Sequence, residues 1–141
     1  MKKAVVLSLC GRQNYVDQEP DTIELVTEGT LEEVNNGWRL CYEESDLTGL
    51  QGVSTTFEIQ KGVVTLIRTG KLNSEMVFRE NIPHDSLYRT EFGALMLTVC
   101  ATKIEANITE LGGSIDLVYT VEIEQNAAGH IEYHLDVRVK E

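Results

Sequence analysis

From Ala4 to Val139 apolar and polar residues alternate with a period of two, and the alternation restarts after each turn-forming cluster. No stretch sustains a helical period, so the pattern predicts an all-β chain. The clearest segment places Ile131, Tyr133, Leu135, Val137 and Val139 against Glu132, His134, Asp136, Arg138 and Lys140. Successive side chains of a strand point to opposite faces, so one face is buried and the other is wet. The preceding segment repeats this: Ile115, Leu117, Tyr119, Val121 and Ile123 form the apolar set, and Val118 is the one apolar residue on the polar side. Asn126 to Gly129 is predicted as the hairpin loop between the two.

The same reading gives strands near residues 3–11, 22–34, 37–44, 52–60, 63–70, 74–79, 86–92, 94–105, 113–124 and 130–139. The predicted fold is a single antiparallel β-barrel of eight to ten strands over residues 1–141. Pro20 and Pro83 fall between strands, where a missing amide donor costs least. The connections are Gln13 to Asp21, the best place for a short helical turn, and Asn81 to Asp85.

If Lys61 and Gly62 form a two-residue turn, Ile59 faces Val64, Phe57 faces Leu66 and Thr55 faces Arg68. Cross-strand partners share a face, so Arg68 then points inward. A three-residue turn with a glycine bulge would leave Arg68 outside; the first register is preferred because it sets Phe57 against Leu66 rather than Thr65. Tyr88, Thr90 and Phe92 share one parity, while Leu95, Leu97 and Val99 have the other. One residue must be absorbed near Gly93, where glycine tolerates a bulge or a sharp bend.

A chain of 141 residues fits one domain, and a domain of this size buries about two-thirds of its unfolded surface, enough for a core without cross-links. The formal charge of −11, with no basic stripe, disfavours nucleic acid and anionic membrane as partners. Cys10, Cys41 and Cys100 are odd in number and widely spaced, and read as reduced thiols of a cytoplasmic protein. Cys41 alternates with Leu40 and Tyr42, so it is expected to face outward and to be the most reactive thiol. Lys2-Lys3 followed by Ala4 to Leu9 and Cys10 imitates a lipoprotein signal, but its apolar run is shorter than a normal one of about 7–15 residues. A first strand with Val5, Leu7 and Leu9 on one face is the expected reading.

Tyr42-Glu43-Glu44, Arg68-Thr69-Gly70, Met76-Val77-Phe78, Tyr88 through Leu97, and Gly113 through Tyr119 follow one another in the order seen in the YwiB-like proteins. The chain resembles that family over nearly its whole length. The resemblance implies a calycin-type, lipocalin-like barrel in a small bacterial protein, and no established activity. Calycin barrels elsewhere often hold apolar ligands, with arginine and tyrosine engaging a carboxylate; that is an analogy of fold. The lipocalin Gly-x-Trp signature is absent from the first strand, since Trp38 follows Asn36-Gly37 at a later turn.

With Arg68 inward, Tyr42, Tyr88, Tyr119 and Tyr133 lie on inner faces too. One guanidinium with four phenols forms a candidate site for a small apolar or anionic ligand. Alternatively Glu44 or backbone carbonyls satisfy Arg68, while Trp38, Phe57, Phe78 and Phe92 fill the barrel, which then acts through its surface as an interaction or assembly module. Enzymatic chemistry has less support. His84, His130 and His134 sit on a connection, a loop and an outward face without zinc spacing, and Glu43 and Glu44 point to opposite faces. The acids around Asp46 lack the Asp-x-Asp-x-Asp-Gly calcium loop, and nucleophile and phosphate-loop motifs are missing. No cofactor or metal is expected.

Overall fold

A computed structural model describes residues 2–15, 17–45 and 51–140; Asp46 therefore lies outside the described residues. Ten antiparallel strands run β1 (Lys2–Tyr15), β2 (Asp21–Val34), β3 (Gly37–Glu43), β4 (Val53–Gln60), β5 (Val63–Gly70), β6 (Leu72–Phe78), β7 (His84–Thr90), β8 (Gly93–Thr109), β9 (Gly112–Ile123) and β10 (Asn126–Val139). Each strand pairs with its neighbours in sequence, and β1 closes the sheet on β10. Val5, for example, faces Gly29 on one side and Val139 on the other. Closure leaves no edge strand to template aggregation. No helix occurs among the described residues, and so none is long and apolar enough to cross a membrane.

The predicted faces are those observed. Val5, Leu7, Ile115, Leu117, Leu135 and Val137 lie inside, and the Lys61-Gly62 hairpin has the two-residue register, with Thr55 opposite Arg68. Arg68 thus points inward, and both prolines fall between strands. The core is densest toward the barrel end that carries the β2–β3, β4–β5 and β8–β9 turns, where Leu7, Leu31, Leu40, Phe57, Leu66 and Phe78 are fully buried.

Four expectations need correction. The loop joining β9 and β10 is Glu124-Gln125, both with positive φ (50° and 69°), which matches the twist of a hairpin. Asn126 already pairs with Ile123, and a bulge between Ala127 and Gly129 restores the inward parity of Ile131. The first connection is shorter than expected: β1 runs to Tyr15, and beyond it a turn closed by Gln18 N donating to Tyr15 O (3.2 Å) stands where a helical turn was foreseen. Near Gly93 the chain reverses, with Thr90 opposite Gly93, so the parity change is a hairpin and Phe92, at its tip, is 92% exposed instead of filling the core. Finally, Cys41 faces away from the core as expected but is half-buried, with Sγ 3.4 Å from Thr56 Oγ1, and the exposed thiol is Cys10.

Thr90-Glu91-Phe92-Gly93 has a counterpart in Thr109-Glu110-Leu111-Gly112, the β8–β9 turn. In each, the threonine hydroxyl accepts from the amide two residues on, Phe92 N or Leu111 N, at 3.1 Å. The third residue is turned outward, hence the exposure of Phe92 and Leu111, and the glycine takes positive φ, 131° at Gly93. A Cβ at Gly93 would touch nothing, so its cost is conformational alone. Gly93→Val is expected to destabilise the barrel by about 1–3 kcal/mol, read as a lower urea midpoint; an unchanged midpoint would refute a strained Gly93.

Candidate functional site

The register builds one polar row across the inner wall. Gly29 faces Tyr42, Tyr42 faces Thr55, Thr55 faces Arg68 and Arg68 faces Ser74, spanning β2 to β6. All share the core side because cross-strand partners do. Arg68 is the cation of the row, and its side chain is only 15% exposed. Glu44, one residue past β3, turns inward and is buried, with Oε2 4.0 Å from Arg68 Nε; Thr55 Oγ1 donates to that oxygen at 2.5 Å. Glu43 faces outward to Ser54, so the two carboxylates diverge as alternation requires.

Across the barrel, β9 and β10 contribute Tyr119 and Tyr133. The Tyr133 hydroxyl lies 3.2 Å from that of Tyr42, spanning the interior. Beneath them are Phe57, with its ring centroid 6.0 Å from that of Tyr133, and Phe78, 4.6 Å from that of Tyr119. These four rings form a floor. Above it is a cavity of about 460 Å³ at the barrel end that carries the β1–β2, β7–β8 and β9–β10 connections. Met76, Leu97, Val121, Ile123 and Ile131 form its apolar walls, and Leu95 and Gln18 stand near the mouth. Its polar groups are Arg68, Tyr15, Tyr88, Tyr119, Tyr133 and Gln13. Apolar walls with a few convergent polar groups, at this volume, are what small-molecule sites have.

Arg68, Tyr88, Tyr119 and Tyr133 therefore meet around one space. Tyr42 does not line it and acts from behind, through its contact with Tyr133. Tyr15 was missed. Val5, Leu7, Leu9, Gly11, Gln13 and Tyr15 continue one parity, but Gly11 and Gln13 interrupt the apolar run that marks a strand. Of the four proposed fillers, Phe57 and Phe78 are core residues, Trp38 is partly buried and Phe92 is outside.

Burial works against the Arg68 charge, and the surrounding Tyr133, Tyr119, Glu44 and Tyr42 outweigh it, so the guanidinium is held cationic more firmly than usual. The phenols respond in the opposite sense. Burial pushes Tyr15, Tyr42, Tyr119 and Tyr133 above their ordinary value of 10.0, and Arg68 partly offsets this. At neutral pH the site holds one cation and a set of neutral hydroxyl donors, with the Glu44 side chain behind the cation. Among the described residues no cluster of acids, histidines and cysteines is arranged to hold a metal ion. His84 uses Nδ1 to accept Val77 N at 3.3 Å, and His134 pairs on the outer face with Asp116 (2.6 Å) and Asp136 (3.1 Å).

The model of a domain of unknown function, DUF1934, matches residues 7–135. The chain belongs to this family. A crystal structure of the ywiB protein from Bacillus subtilis is similar to it with a TM-score of 0.81 and 21% sequence identity, covering 96% of this chain and 92% of that one. The likeness concerns the fold, and it agrees with the resemblance carried by the sequence motifs. Comparison with curated proteins gives no match.

Two outcomes follow for this DUF1934 barrel. Arg68→Met leaves Glu44 buried beside an apolar chain and is expected to cost up to about 3–5 kcal/mol, with Arg68→Lys milder. A loss below about 0.5 kcal/mol in urea unfolding would contradict a buried, charge-compensated Arg68. The phenols impose an alkaline limit. Their raised folded-state values mean the folded barrel retains protons that the unfolded chain releases, so their stabilisation is complete below about pH 10 and declines above it. Ultraviolet titration should show Tyr15, Tyr42, Tyr119 and Tyr133 resisting ionisation until the barrel unfolds. Phenolate absorbance from all five tyrosines near pH 10 in folded protein would be incompatible with this.

Proposed function

We propose that the protein is a small-molecule-binding barrel whose ligand is an amphipathic monoanion, with the charge at Arg68 and the apolar part in the cavity above the tyrosine floor. The observation that carries this reading is the coincidence of a cavity of about 460 Å³ with a single lining cation. A buried arginine is costly in a barrel that needs only a core. Beside hydroxyl donors in a space with apolar walls, it matches a carboxylate or other singly charged head group. A dianion is disfavoured because Glu44 already stands 4.0 Å from Arg68. The up-and-down order of ten strands supports grouping the protein with calycin-type barrels, and ligand binding in those barrels is an analogy at the level of fold. Three unpaired thiols fit a reducing, cytoplasmic setting.

The alternative, an interaction module, draws on the β7–β8 hairpin. There Phe92 is fully exposed, and Leu87, Leu95 and Met96 add to the apolar surface. Decanoate separates the two readings. At about a hundredfold its dissociation constant a ligand stabilises a protein by about 2.7 kcal/mol, so decanoate should raise the melting temperature. Leu97→Trp, which fills the cavity, should abolish the rise, and Phe92→Ser should leave it unchanged. Flat melting curves with decanoate, decyl sulfate and decyl phosphate, together with a ligand-free mass on native mass spectrometry of protein from its own host, would sink the binding reading.

A further inference from the structure

The barrel wall is incomplete between β6 and β7. The two strands pair only through Leu72 with Thr90 and Asn73 with Arg89, then diverge. Farther along, Val77 N donates to the His84 imidazole instead of a carbonyl. The 79–82 connection, which would otherwise zip the seam, is drawn to the neighbouring strand: Asn81 N donates to Ala101 O at 2.7 Å and Ile104 N to Glu80 Oε1 at 3.2 Å. These contacts flank an irregularity in the β8–β9 register between Ala101 and Lys103, so the bulge in β8 holds the connection away from the seam.

The resulting slit, open to solvent, has a volume of about 490 Å³; Asn73, Ser74, Glu75, His84, Asp85 and Ser86 line it with Arg89, Thr69, Ile67 and Leu87, and Arg68 reaches it from the interior. Its chemistry differs from the cavity's: hydroxyl, amide, imidazole, carboxylate and guanidinium groups stand beside only two aliphatic side chains, Ile67 and Leu87. Arg68 lines both spaces. Among the described residues, the buried side-chain polar atoms without a hydrogen-bond partner are Arg68 Nε and Ser74 Oγ. They belong to residues directly opposite each other on β5 and β6, and Ser74 is 93% buried, its relative exposure being 7%. Buried polar groups are nearly always satisfied. Two unsatisfied groups side by side, where an apolar cavity meets a polar slit, mark a place where something else supplies the partners.

We propose that the slit is the second arm of the binding site, so that the ligand has three parts: an apolar chain in the barrel, a monoanionic linking group at Arg68 and Ser74, and a hydroxyl-bearing head group lying out through the wall between β6 and β7. This rests on the binding function proposed above and names the ligand class more narrowly. Hydroxyls suit the slit because they both donate to Glu75 and Asp85 and accept from Asn73 and Ser86. A fully apolar ligand would leave Arg68 Nε and Ser74 Oγ without a hydrogen-bond partner.

Two probes with the same chain and charge isolate the head group: decyl methyl phosphate, which ends at the linking group, and decyl phosphorylglycerol, which extends beyond it. Titration calorimetry on the full chain should give about tenfold tighter binding of the glycerol probe, the worth of one or two neutral hydrogen bonds. That advantage should vanish in Asn73→Ala/Ser86→Ala, where unaltered binding of the methyl probe serves as the check on folding. Equal affinities for the two probes in the unaltered protein would overturn the second arm and leave the cavity reading intact. Binding of neither would overturn both, and an advantage persisting in the double variant would remove the head group from the slit.

Discussion

A guanidinium inside a closed β-barrel is the constraint on which the rest of the interior depends. Arg68 cannot be neutralised by losing its proton, so its surroundings must be built for a permanent charge. Glu44 turns inward just past the end of β3, Thr55 holds that carboxylate, and the side chains facing the charge are tyrosines where a purely structural barrel would use phenylalanine. The Tyr119 and Tyr133 rings serve two purposes at once. Their rings meet Phe78 and Phe57 at a tilt as core, and their hydroxyls belong to the polar site above.

Closure of the sheet imposes a second condition. Ten strands in simple up-and-down order satisfy the backbone groups of each strand with two neighbours, and the seam between β6 and β7 is the exception. The exception is managed locally. His84 satisfies one amide that a neighbouring strand would have taken, and the adjoining connection finds partners on β8. The opening brings polar side chains of β6 and β7 to the side of Arg68.

Much of this could be read from the sequence, and the parts that could not share a cause. The inward apolar set runs unbroken over 115–123 of β9 and 131–139 of β10, which places Tyr119 and Tyr133 inside, and the tight turn at Lys61-Gly62 fixes the partner of Arg68 and hence its direction. Residues near irregularities were misplaced. Gly11 hides the continuation of β1 to Tyr15, the bulge before Gly129 disguises the loop of the last hairpin, and Phe92 looks like a strand residue until the reversal at Gly93 is seen. The slit is illegible for another reason: β6 and β7 each carry a sound strand pattern, and failure to pair is a property of neither strand alone. Whether the barrel is filled or hollow depends on which side chains meet across the interior, and hydropathy does not encode that.

The contact between the Tyr42 and Tyr133 hydroxyls divides the molecule into two compartments with different obligations. On one side lies a dry core of Leu7, Leu31, Leu40, Leu66 and their neighbours, where any change of volume is felt by the whole sheet. On the other, Leu95, Leu97, Val121 and Ile123 border empty space and answer to fewer neighbours. Such a partition lets the upper walls drift in sequence, reshaping what the barrel accommodates, while the lower half preserves the fold. Two barrels with few residues in common can on these terms keep one architecture and differ in what they hold.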